Sequence, residues 1–330
     1  MVPETCNIKS NDECTLTTIN NSIEEKSPKY FKTKLKWDTI ISTFVLHAIA
    51  LYVLLTYPYT KKLKTFIFEY FVAHLVGIGV TCGVHRLWTH QSYKAKWPLR
   101  LILLYCFYSS GQNSVYNWVR DHRVHHKYTE TDADPHNSKR GFFFAHVGWL
   151  MMHKHPEVIR RGKQIDMSDI YADPLVAFGD KHFIFFKVLL CFVLPILIPV
   201  YFWNETWLWS IGIVLLRYVL NLNFTWSVNS AAHLWGYKPY DKSIAPAENK
   251  LVAHLSMGEG WHNYHHVFPY DYKCAELGNY SLNWSTFVLD MFAKIGWAYD
   301  LKQPSKELIK AVIEKKGDVN LCYNNNAKLK

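Results

Sequence analysis

The 330-residue chain lacks the short motifs that mark several common chemistries. Its seven cysteines include no CxxC pair, so neither a zinc ribbon nor a disulfide framework is predicted. It contains no P-loop, no GxGxxG fingerprint and no Ser/His/Asp set. These absences argue against a phosphate cradle, a nicotinamide or flavin site and a serine nucleophile. Any redox chemistry must therefore draw its electrons from a partner.

An apolar leader and a nucleic-acid motif are also missing. Residues 1–36 are rich in Asn, Ser, Thr and Glu and then in Lys, and they predict a flexible cytosolic tail. The formal net charge of +10 is matched by 49% hydrophobic residues. Because the basic residues flank apolar runs, we expect them to lie against anionic membrane lipid and expect no nucleic acid partner.

Four apolar runs approach the ~20 residues that cross a bilayer as a helix. They are Thr39–Tyr57, Phe66–Val84, Phe183–Trp203 and Leu208–Val228. Short turns join the first to the second and the third to the fourth, which predicts two helical hairpins. Lysines before the first run favour a cytoplasmic amino terminus, whereas Lys61, Lys62 and Lys64 argue weakly for the opposite orientation.

A fifth apolar run, Leu99–Tyr108, is too short to span a bilayer and is expected to lie at the membrane interface. The stretches on either side of the second hairpin, from Asp121 to His182 and from His233 onward, are polar and aromatic. The predicted fold is an all-α integral membrane protein with four transmembrane helices in two hairpins. A helical cytosolic cap is expected to hold a dinuclear metal site.

The domain prediction follows the same pattern. Residues 1–36 form the flexible tail, 37–301 form the four-helix membrane domain with its cap, and 302–330 form a C-terminal cytosolic tail.

Three histidine segments stand between these apolar runs: HRLWTH from His85, HRVHH from His122 and HNYHH from His262. They hold eight of the 17 histidines. Neutral imidazole is the commonest metal ligand, and eight nitrogens exceed the four positions of one tetrahedral zinc site. The pattern therefore predicts two metals, and imidazole-rich sites suit iron, copper, zinc or nickel.

Helical spacing predicts how these side chains are arranged. Residues three and four apart share a helix face, so each HxxHH triplet is expected to direct three imidazoles at one point. His85 and His90 are five apart and converge only if the helix ends or distorts there. Asn229 and His233, four apart, add a further candidate pair. Asp121, Glu130, Asp132, Asp134 and Glu259 are the nearby carboxylates that can orient ligating imidazoles.

The sequence resembles the membrane-bound fatty acyl-CoA desaturases of the stearoyl-CoA desaturase type, and within them an insect enzyme of the moth pheromone branch. The likeness runs from about Trp37 to Leu301. It is carried by the segments Gly83–His90, Trp118–Lys127, Asp132–Asn137, Arg140–Phe144, Asn229–Gly236 and Gly258–Pro269.

This resemblance implies a di-iron enzyme of the endoplasmic reticulum with both termini cytosolic. It implies desaturation of a long-chain acyl-CoA with O2 and two electrons from cytochrome b5. An NADH-dependent reductase is implied to reduce the cytochrome again. The implied metal ligands are His85, His90, His122, His125, His126, His233, His262, His265 and His266, with Asn229 acting through water.

The same resemblance implies a bent acyl tunnel whose kink is lined by Gln112, Trp118, Thr225 and Trp226. It places Asn113, Arg120 and Asp121 at the acyl-CoA entrance. The segment Ser243–Asn249 carries Ala-Pro-Ala-Glu where subgroups of the family differ, so delta-9, delta-11 and shifted double-bond positions all stay open.

Two other functions are compatible with part of this pattern. A di-iron fatty acyl hydroxylase shares the histidine plan, but the two hairpins and the Asn229/His233 pair favour a desaturase. A histidine-rich metal transporter would need ionisable residues along its spans. The spans offer Glu69, Arg217, Lys187 near one end and a few histidines, so transport is disfavoured.

Overall fold

The computed structural model describes residues 33–276 and 280–318. The chain divides into two units, 1–34 and 35–330, and everything that follows concerns the second. Of the tail predicted at 1–36, positions 1–32 lie outside the described residues, as do positions 319–330 of the tail predicted at 302–330.

The described residues are predominantly helical. The α-helices in chain order are α1 (Trp37–Thr56), α2 (Leu63–Ile78), α3 (Trp97–Tyr108), α4 (Val115–Tyr128), α5 (Phe142–His146), α6 (Pro156–Gly162), α7 (Ser168–Ala172), α8 (Pro174–Lys181), α9 (Phe183–Phe186), α10 (Leu194–Trp203), α11 (Trp207–Leu234), α12 (Lys250–Leu255), α13 (His262–Val267), α14 (Trp284–Lys294) and α15 (Lys306–Lys316). Short 3-10 helices cover Ser138–Arg140, Gly148–Met151 and Tyr280–Leu282.

Two π-helices and one small sheet complete the secondary structure of the described residues. The first π-helix, Gly79–Thr89, extends α2, and the second, Lys187–Val193, joins α9 to α10. Strands β1 (Lys94–Ala95) and β2 (Ala298–Tyr299) pair antiparallel.

Within the residues that the structure describes, four continuous helices are long and apolar enough to cross a membrane, which confirms the predicted plan. They cover 37–56, 63–89, 183–203 and 207–234. The second and fourth contain 27 and 28 residues. At about 1.5 Å per residue they are roughly 40 Å long and exceed the ~30 Å hydrocarbon core. Their last turns therefore extend into the cap, where they carry His85 and His233.

The two hairpin turns meet on the side away from the histidines. Glu205, in the second turn, pairs with Lys62 in the first. Its other carboxylate oxygen accepts a hydrogen bond from the Thr65 hydroxyl at 2.7 Å, and the Trp203 indole donates to that same hydroxyl at 2.8 Å. Both turns therefore lie on the same side of the bundle, and all four spans direct their opposite ends toward the cap.

An ion pair joins the spans within the membrane-spanning part. Arg217 Nε on α11 donates to Glu69 Oε2 on α2 at 2.7 Å. Arg217 Nη2 donates to the carbonyl oxygen of Cys191, in the second π-helix, at 2.6 Å. The two charged side chains are almost completely buried. One guanidinium thus links the second, third and fourth spans, and its charge is compensated rather than arranged as part of a pathway.

Helix α3 is the short apolar segment that the sequence predicted to be non-spanning. Its 12 residues give a length of about 18 Å, too short for a bilayer. Trp97 and Tyr105 are exposed, whereas Leu99, Leu103 and Phe107 are buried against the protein. Gly79 permits this contact, because a Cβ there would stand 2.3 Å from the backbone nitrogen of Phe107.

The chain continues to pack into the cap beyond residue 301, where a C-terminal tail was expected. Helix α15 buries Ile309 against Tyr240, Tyr264 and Phe268. The apolar residues of α15 recur at helical spacing, as in a helix that packs through one face rather than in a flexible tail. They are Leu308, Ile309, Val312 and Ile313. The described part of this segment, up to residue 318, is therefore part of the cap.

The buried ion pair yields a stability prediction. Replacing Arg217 with Leu should leave the buried Glu69 carboxyl without its partner, at a cost of about 3–5 kcal/mol. The double variant Glu69→Leu/Arg217→Leu should recover most of that loss. Thermal unfolding in detergent measures both. Lys310→Ala, which removes an exposed pair to Glu314 at 3.9 Å, is the control and should shift stability by less than about 0.5 kcal/mol. A double variant no more stable than Arg217→Leu would contradict this account.

Candidate metal centre

The first histidine pair is brought together by the π-helix. A π-helix bonds residue i to residue i+5, so residues five apart fall on nearly the same face. The backbone N–H of His90 donates to the carbonyl oxygen of His85 at 3.1 Å, and the two ring centroids are 4.9 Å apart. The distortion that the spacing of these histidines required is therefore present.

The second histidine segment lies on α4. Ser114 begins this helix, because its hydroxyl accepts a hydrogen bond from the backbone N–H of Asn117 at 3.3 Å. His122 and His126 are four apart and project toward His85 and His90, with ring centroids 4.2–5.2 Å from their neighbours in the centre. His125 projects from the adjacent position of the helix.

The remaining ligand candidates come from the end of α11 and from α13. His233 stands on the last turn of α11 and His262, His265 and His266 on the six-residue helix α13. All four imidazoles are largely buried, and His262 and His265 are almost inaccessible to solvent. Elements distant in sequence thus converge on one buried volume in the cap.

The nine imidazoles form two groups. Within each group the ring nitrogens that face one another lie within 4.8 Å. Cluster 1 contains His85, His90, His122, His126 and His265; cluster 2 contains His125, His233, His262 and His266.

This division corrects the expectation that each HxxHH triplet converges on one point. In each triplet the two residues four apart join one cluster and the third joins the other. His122 and His126 belong to cluster 1 while His125 belongs to cluster 2; His262 and His266 belong to cluster 2 while His265 belongs to cluster 1. The reason is geometric, because four residues complete about one helical turn whereas the residue between them projects to the side.

The nitrogen spacing fits two metal ions. Nε2 of His265 lies 3.0 Å from Nε2 of both His85 and His126, and Nε2 of His262 lies 3.0 Å from that of His233. Two nitrogens each about 2.1 Å from one ion, at right angles, are about 3.0 Å apart. Nε2 of His90, His122 and His125 is buried without a hydrogen-bond partner. A bound cation would satisfy these atoms, whose burial otherwise costs free energy.

Glu259 and Arg86 support cluster 1 from behind. Oε2 of Glu259 lies 2.9 Å from Nδ1 of His85. Its Oε1 accepts hydrogen bonds from Nη2 and Nε of Arg86 at 2.9 and 3.1 Å. Burial alone would raise the pKa of Glu259, but Arg86 and His85 outweigh it and lower the value to about 2. The ionised carboxylate therefore lies behind Nδ1 of His85, while Nε2 of that ring faces His265 of cluster 1 and can bind a metal.

Asp134 supports cluster 2 in the same way. Its Oδ1 lies 2.8 Å from Nδ1 of His125 and accepts the backbone N–H of His136, while Oδ2 accepts the backbone N–H of Glu130. Burial opposes ionisation, yet His125, His136 and the Glu130 N–H lower the pKa of Asp134 to about 2. Glu130 itself stands 3.4 Å from Nδ1 of His233. Asp121 pairs instead with Arg120 and Lys154.

Six of the imidazoles resist protonation strongly. Burial, followed by repulsion from neighbouring imidazoles, holds the pKa values well below 6.5; the six are His90, His122, His126, His262, His265 and His266. Neutral rings are the form that binds metals.

Arg86 and His136 lie near the metal centre but outside the predicted set of ligands. Arg86 is fully buried, and besides Glu259 it donates to the Tyr272 carbonyl oxygen and the Thr286 hydroxyl. Its position beside His85 at the end of an apolar run was the available signal. His136, outside the three histidine segments, is buried with its ring centroid 5.7 Å from that of His125. Asn229 is half-buried on α11, one turn before His233, and stays a predicted water-mediated ligand.

Three of the predicted tunnel residues form one hydrogen-bonded chain beside cluster 1. The Trp118 indole N–H donates to Gln112 Oε1 at 3.0 Å, and Gln112 Nε2 donates to the Thr225 hydroxyl at 3.2 Å. The Trp118 ring centroid is 4.9 Å from that of His122. This chain ties α4 to α11 and to the loop after α3, within contact distance of the histidines.

The other predicted substrate contacts lie elsewhere. Trp226 is buried between His47 and His146, at ring-centroid distances of 6.2 and 5.8 Å, apart from the Gln112 chain. Asn113 is exposed and accepts the backbone N–H of Ser114. Arg120 and Asp121 pair at 3.0 Å at the half-buried edge of α4.

Comparison with known proteins identifies the class. Residues 63–283 match the family described as "Fatty acid desaturase". The chain belongs to the fatty acid desaturase family.

Several curated relatives resemble nearly the whole chain. It is 52% identical to an "Acyl-CoA Delta-9 desaturase" of Acheta domesticus, over 90% of this chain and 84% of the relative. It is 51% identical to an "Acyl-CoA Delta(11) desaturase" of Spodoptera littoralis, over 92% and 91%. It is 49% identical to the "Stearoyl-CoA desaturase" of Homo sapiens, over 88% and 80%.

The carboxylate behind cluster 2 gives a metal-binding prediction. Asp134→Asn keeps the size of the side chain but removes the charge that holds the proton on His125 Nδ1. Metal affinity should fall about 10- to 100-fold. Metal content after dialysis against graded chelator measures the effect. Asp300→Asn, at an exposed residue that pairs with Lys94 outside both clusters, is the matched control and should behave as wild type. Equal metal retention by both variants would count against the role assigned to Asp134.

The lowered imidazole pKa values give a pH prediction for the metal-free protein. The unfolded chain takes up protons near pH 6.5, while the buried imidazoles stay neutral to much lower pH. Stability should therefore be full above about pH 7 and fall as the pH drops from 6.5 toward 5, by up to about 1.4 kcal/mol per pH unit for each group. Thermal unfolding across this range tests it, and unchanged stability down to pH 5 would contradict it.

Proposed function

We propose that this chain is an acyl-CoA desaturase that inserts a double bond into a long-chain fatty acyl-CoA at a di-iron centre. The observation that carries the proposal is the pair of imidazole clusters built on the protruding ends of two membrane spans. Membership of the desaturase family and the names of the relatives give the substrate class. The alternatives, fatty acyl hydroxylation and metal transport, have no observation in their favour.

Iron fits the ligand set better than zinc does. Cluster 1 offers five nitrogens and cluster 2 four, with carboxylates behind the rings rather than among the nitrogens of either cluster. Structural zinc sites close at four ligands, and catalytic zinc commonly uses three from the protein. The nine histidines of the two clusters would hold the two ions, and we retain Asn229 as a ligand acting through water.

The overall reaction balances with an external electron donor. Removing two hydrogen atoms from adjacent methylenes of the acyl chain supplies two electrons and two protons. Reducing O2 to two waters needs four of each, so a partner must deliver two electrons and the solvent two protons. Cytochrome b5 with its NADH-dependent reductase is the proposed source, because the sequence shows no flavin or nicotinamide motif. Bound iron supplies the oxidising power that side chains lack.

The protein's own task is to position the chain and to keep the ligands fixed. Glu259 and Asp134 hold His85 and His125 in one tautomer. The Gln112–Trp118–Thr225 chain stands beside His122, and we propose that it bends the acyl chain so that the target methylenes face the clusters. Asn113, Arg120 and Asp121 are proposed at the entrance, where Arg120 can pair with CoA phosphate. Trp226 is proposed to pack the tunnel wall from behind.

The proposed location is the endoplasmic reticulum membrane, with the cap and both termini cytosolic. The lysines before α1 support this orientation, which places Lys61, Lys62 and Lys64 near the first hairpin turn on the lumenal side. We propose 37–301 as the catalytic unit, preceded by a cytosolic tail at 1–36. The segment 302–330 is cytosolic, and its helix α15 docks on the cap.

The position of the double bond is the experimental question. Identity to a Delta-9 and a Delta(11) enzyme differs by one percentage point, so overall likeness does not choose between them. The measurement is expression in a yeast strain lacking its own desaturase, fed saturated C14, C16 and C18 acids. Gas chromatography–mass spectrometry with double-bond derivatisation then locates any new unsaturation.

We expect a new unsaturated acid from the wild-type chain and at least about a 100-fold loss in His125→Ala, which removes a predicted ligand. His254→Ala, an exposed histidine outside both clusters, should keep full activity. A hydroxylated product would contradict the proposed desaturase activity and identify the chain as a hydroxylase. The same product level in the wild type and His125→Ala would show that His125 is not required for the reaction and would contradict the proposed role of the clusters.

A further inference from the structure

The segment Ala245–Asn249 runs between two elements that supply histidines to cluster 2. The backbone N–H of Ala247 donates to the carbonyl oxygen of Ala232 at 2.7 Å, next to His233 on α11. The backbone N–H of Asn249 donates to the carbonyl oxygen of Gly260 at 2.8 Å, just before α13. The segment therefore fixes the end of α11 against the start of α13.

Glu248 is the centre of this connection. Its backbone bridges Tyr237 on one side and Trp261 on the other. Gly236 allows the close approach, because it adopts φ +145° and a Cβ there would stand 2.3 Å from the Glu248 carbonyl oxygen. The strand-like segment is held on both edges, which leaves the Glu248 side chain little freedom to move.

The Glu248 side chain reaches the start of α13 itself. Its Oε1 accepts the backbone N–H of Tyr264 at 2.7 Å, and the backbone N–H of Asn263 also bonds to the carboxyl group. The first turn of a helix leaves such N–H groups without partners. Trp261, at the N-cap position, provides no side-chain hydrogen bond. A residue distant in sequence thus performs the capping that the local sequence lacks.

The consequence falls mainly on one cluster. Helix α13 gives His262 and His266 to cluster 2 and only His265 to cluster 1. A shift of α13 relative to α11 would displace two of the four nitrogens of cluster 2, but one of the five of cluster 1.

We propose that Glu248 is a positioning residue for metal binding: its carboxyl group fixes helix α13 so that His262 and His266 meet His233. This inference rests on the metal centre of the proposed function, and it assigns a role to the Ala-Pro-Ala-Glu segment. An acceptor oxygen at the correct reach is the requirement, and a negative charge is not.

Burial raises the pKa of Glu248 to about 8, so its neutral acid is accessible and glutamine has nearly the same shape. Aspartate keeps the acid but withdraws the oxygen by one C–C bond, about 1.5 Å. Glu248→Gln and Glu248→Asp therefore separate reach from ionisation, and Glu248→Ala removes the acceptor. Asp166→Ala removes the acceptor for the backbone N–H of Ser168, at 2.9 Å in the exposed start of α7, and serves as the matched control.

The test uses the full-length protein purified in detergent. Metal content per chain and its resistance to a graded chelator are measured by elemental analysis, with size-exclusion chromatography to confirm the folded fraction. Glu248→Ala and Glu248→Asp should lose about one of two metals per chain at a chelator concentration at least tenfold lower than wild type. Glu248→Gln and Asp166→Ala should stay within about twofold of wild type.

The outcomes separate the possibilities. If Glu248→Ala keeps both metals as wild type does, the proposal is overturned. It is equally overturned if Glu248→Gln loses metal as readily as Glu248→Asp, and this pair decides the matter should Glu248→Ala fail to fold. Because metal content is read without turnover, a wild type that binds two metals but makes no unsaturated product refutes the proposed reaction while leaving the role of Glu248 testable.

Discussion

Nine imidazoles share one buried volume in the cap with ring nitrogens that face one another, and much of the cap is arranged to hold them there. Buried rings repel one another when charged, and their facing nitrogens need a cation to satisfy them. Glu259 and Asp134 lie beside Nδ1 of His85 and His125, behind the rings, while the other ring nitrogen of each faces its cluster. The spans place His85 and His233 where they leave the membrane.

The membrane part and the cap form one mechanical unit. Glu205 joins the two hairpin turns on one side, and Arg217 joins three spans through Glu69 and Cys191 in the middle. The far ends of α2 and α11 are therefore held at a fixed separation before the cap begins. The histidines of α4 and α13 need only be docked against that frame. In α13 the docking passes through Glu248, a residue outside all three histidine segments.

Much of this arrangement could be predicted from the sequence because it depends on local periodicity. Four long apolar runs gave four spans, and the short run at Leu99 gave a helix that does not cross. The division of each HxxHH triplet between two clusters was not predicted, because it depends on which neighbour each helix meets. The roles of Arg86 and Glu248 were not predicted for the same reason, because their hydrogen-bond partners are distant in sequence. The docking of α15 could not be predicted because its apolar residues stand among lysines and Ile309 meets its partners only in the folded cap.

The π-helix between Gly79 and Thr89 has a consequence for which changes the chain can tolerate. A π-turn holds one residue more than an α-turn, and it is this additional residue that brings His90 round to His85. Wound as an α-helix, the same five-residue step would turn through about 500° and leave His90 about 140° round the helix axis from His85, away from the centre. Losing one residue between the two histidines would place them four apart, the spacing at which an α-helix also brings two side chains to one face. The winding of this stretch and the number of residues between its histidines are therefore fixed together, and neither can change alone.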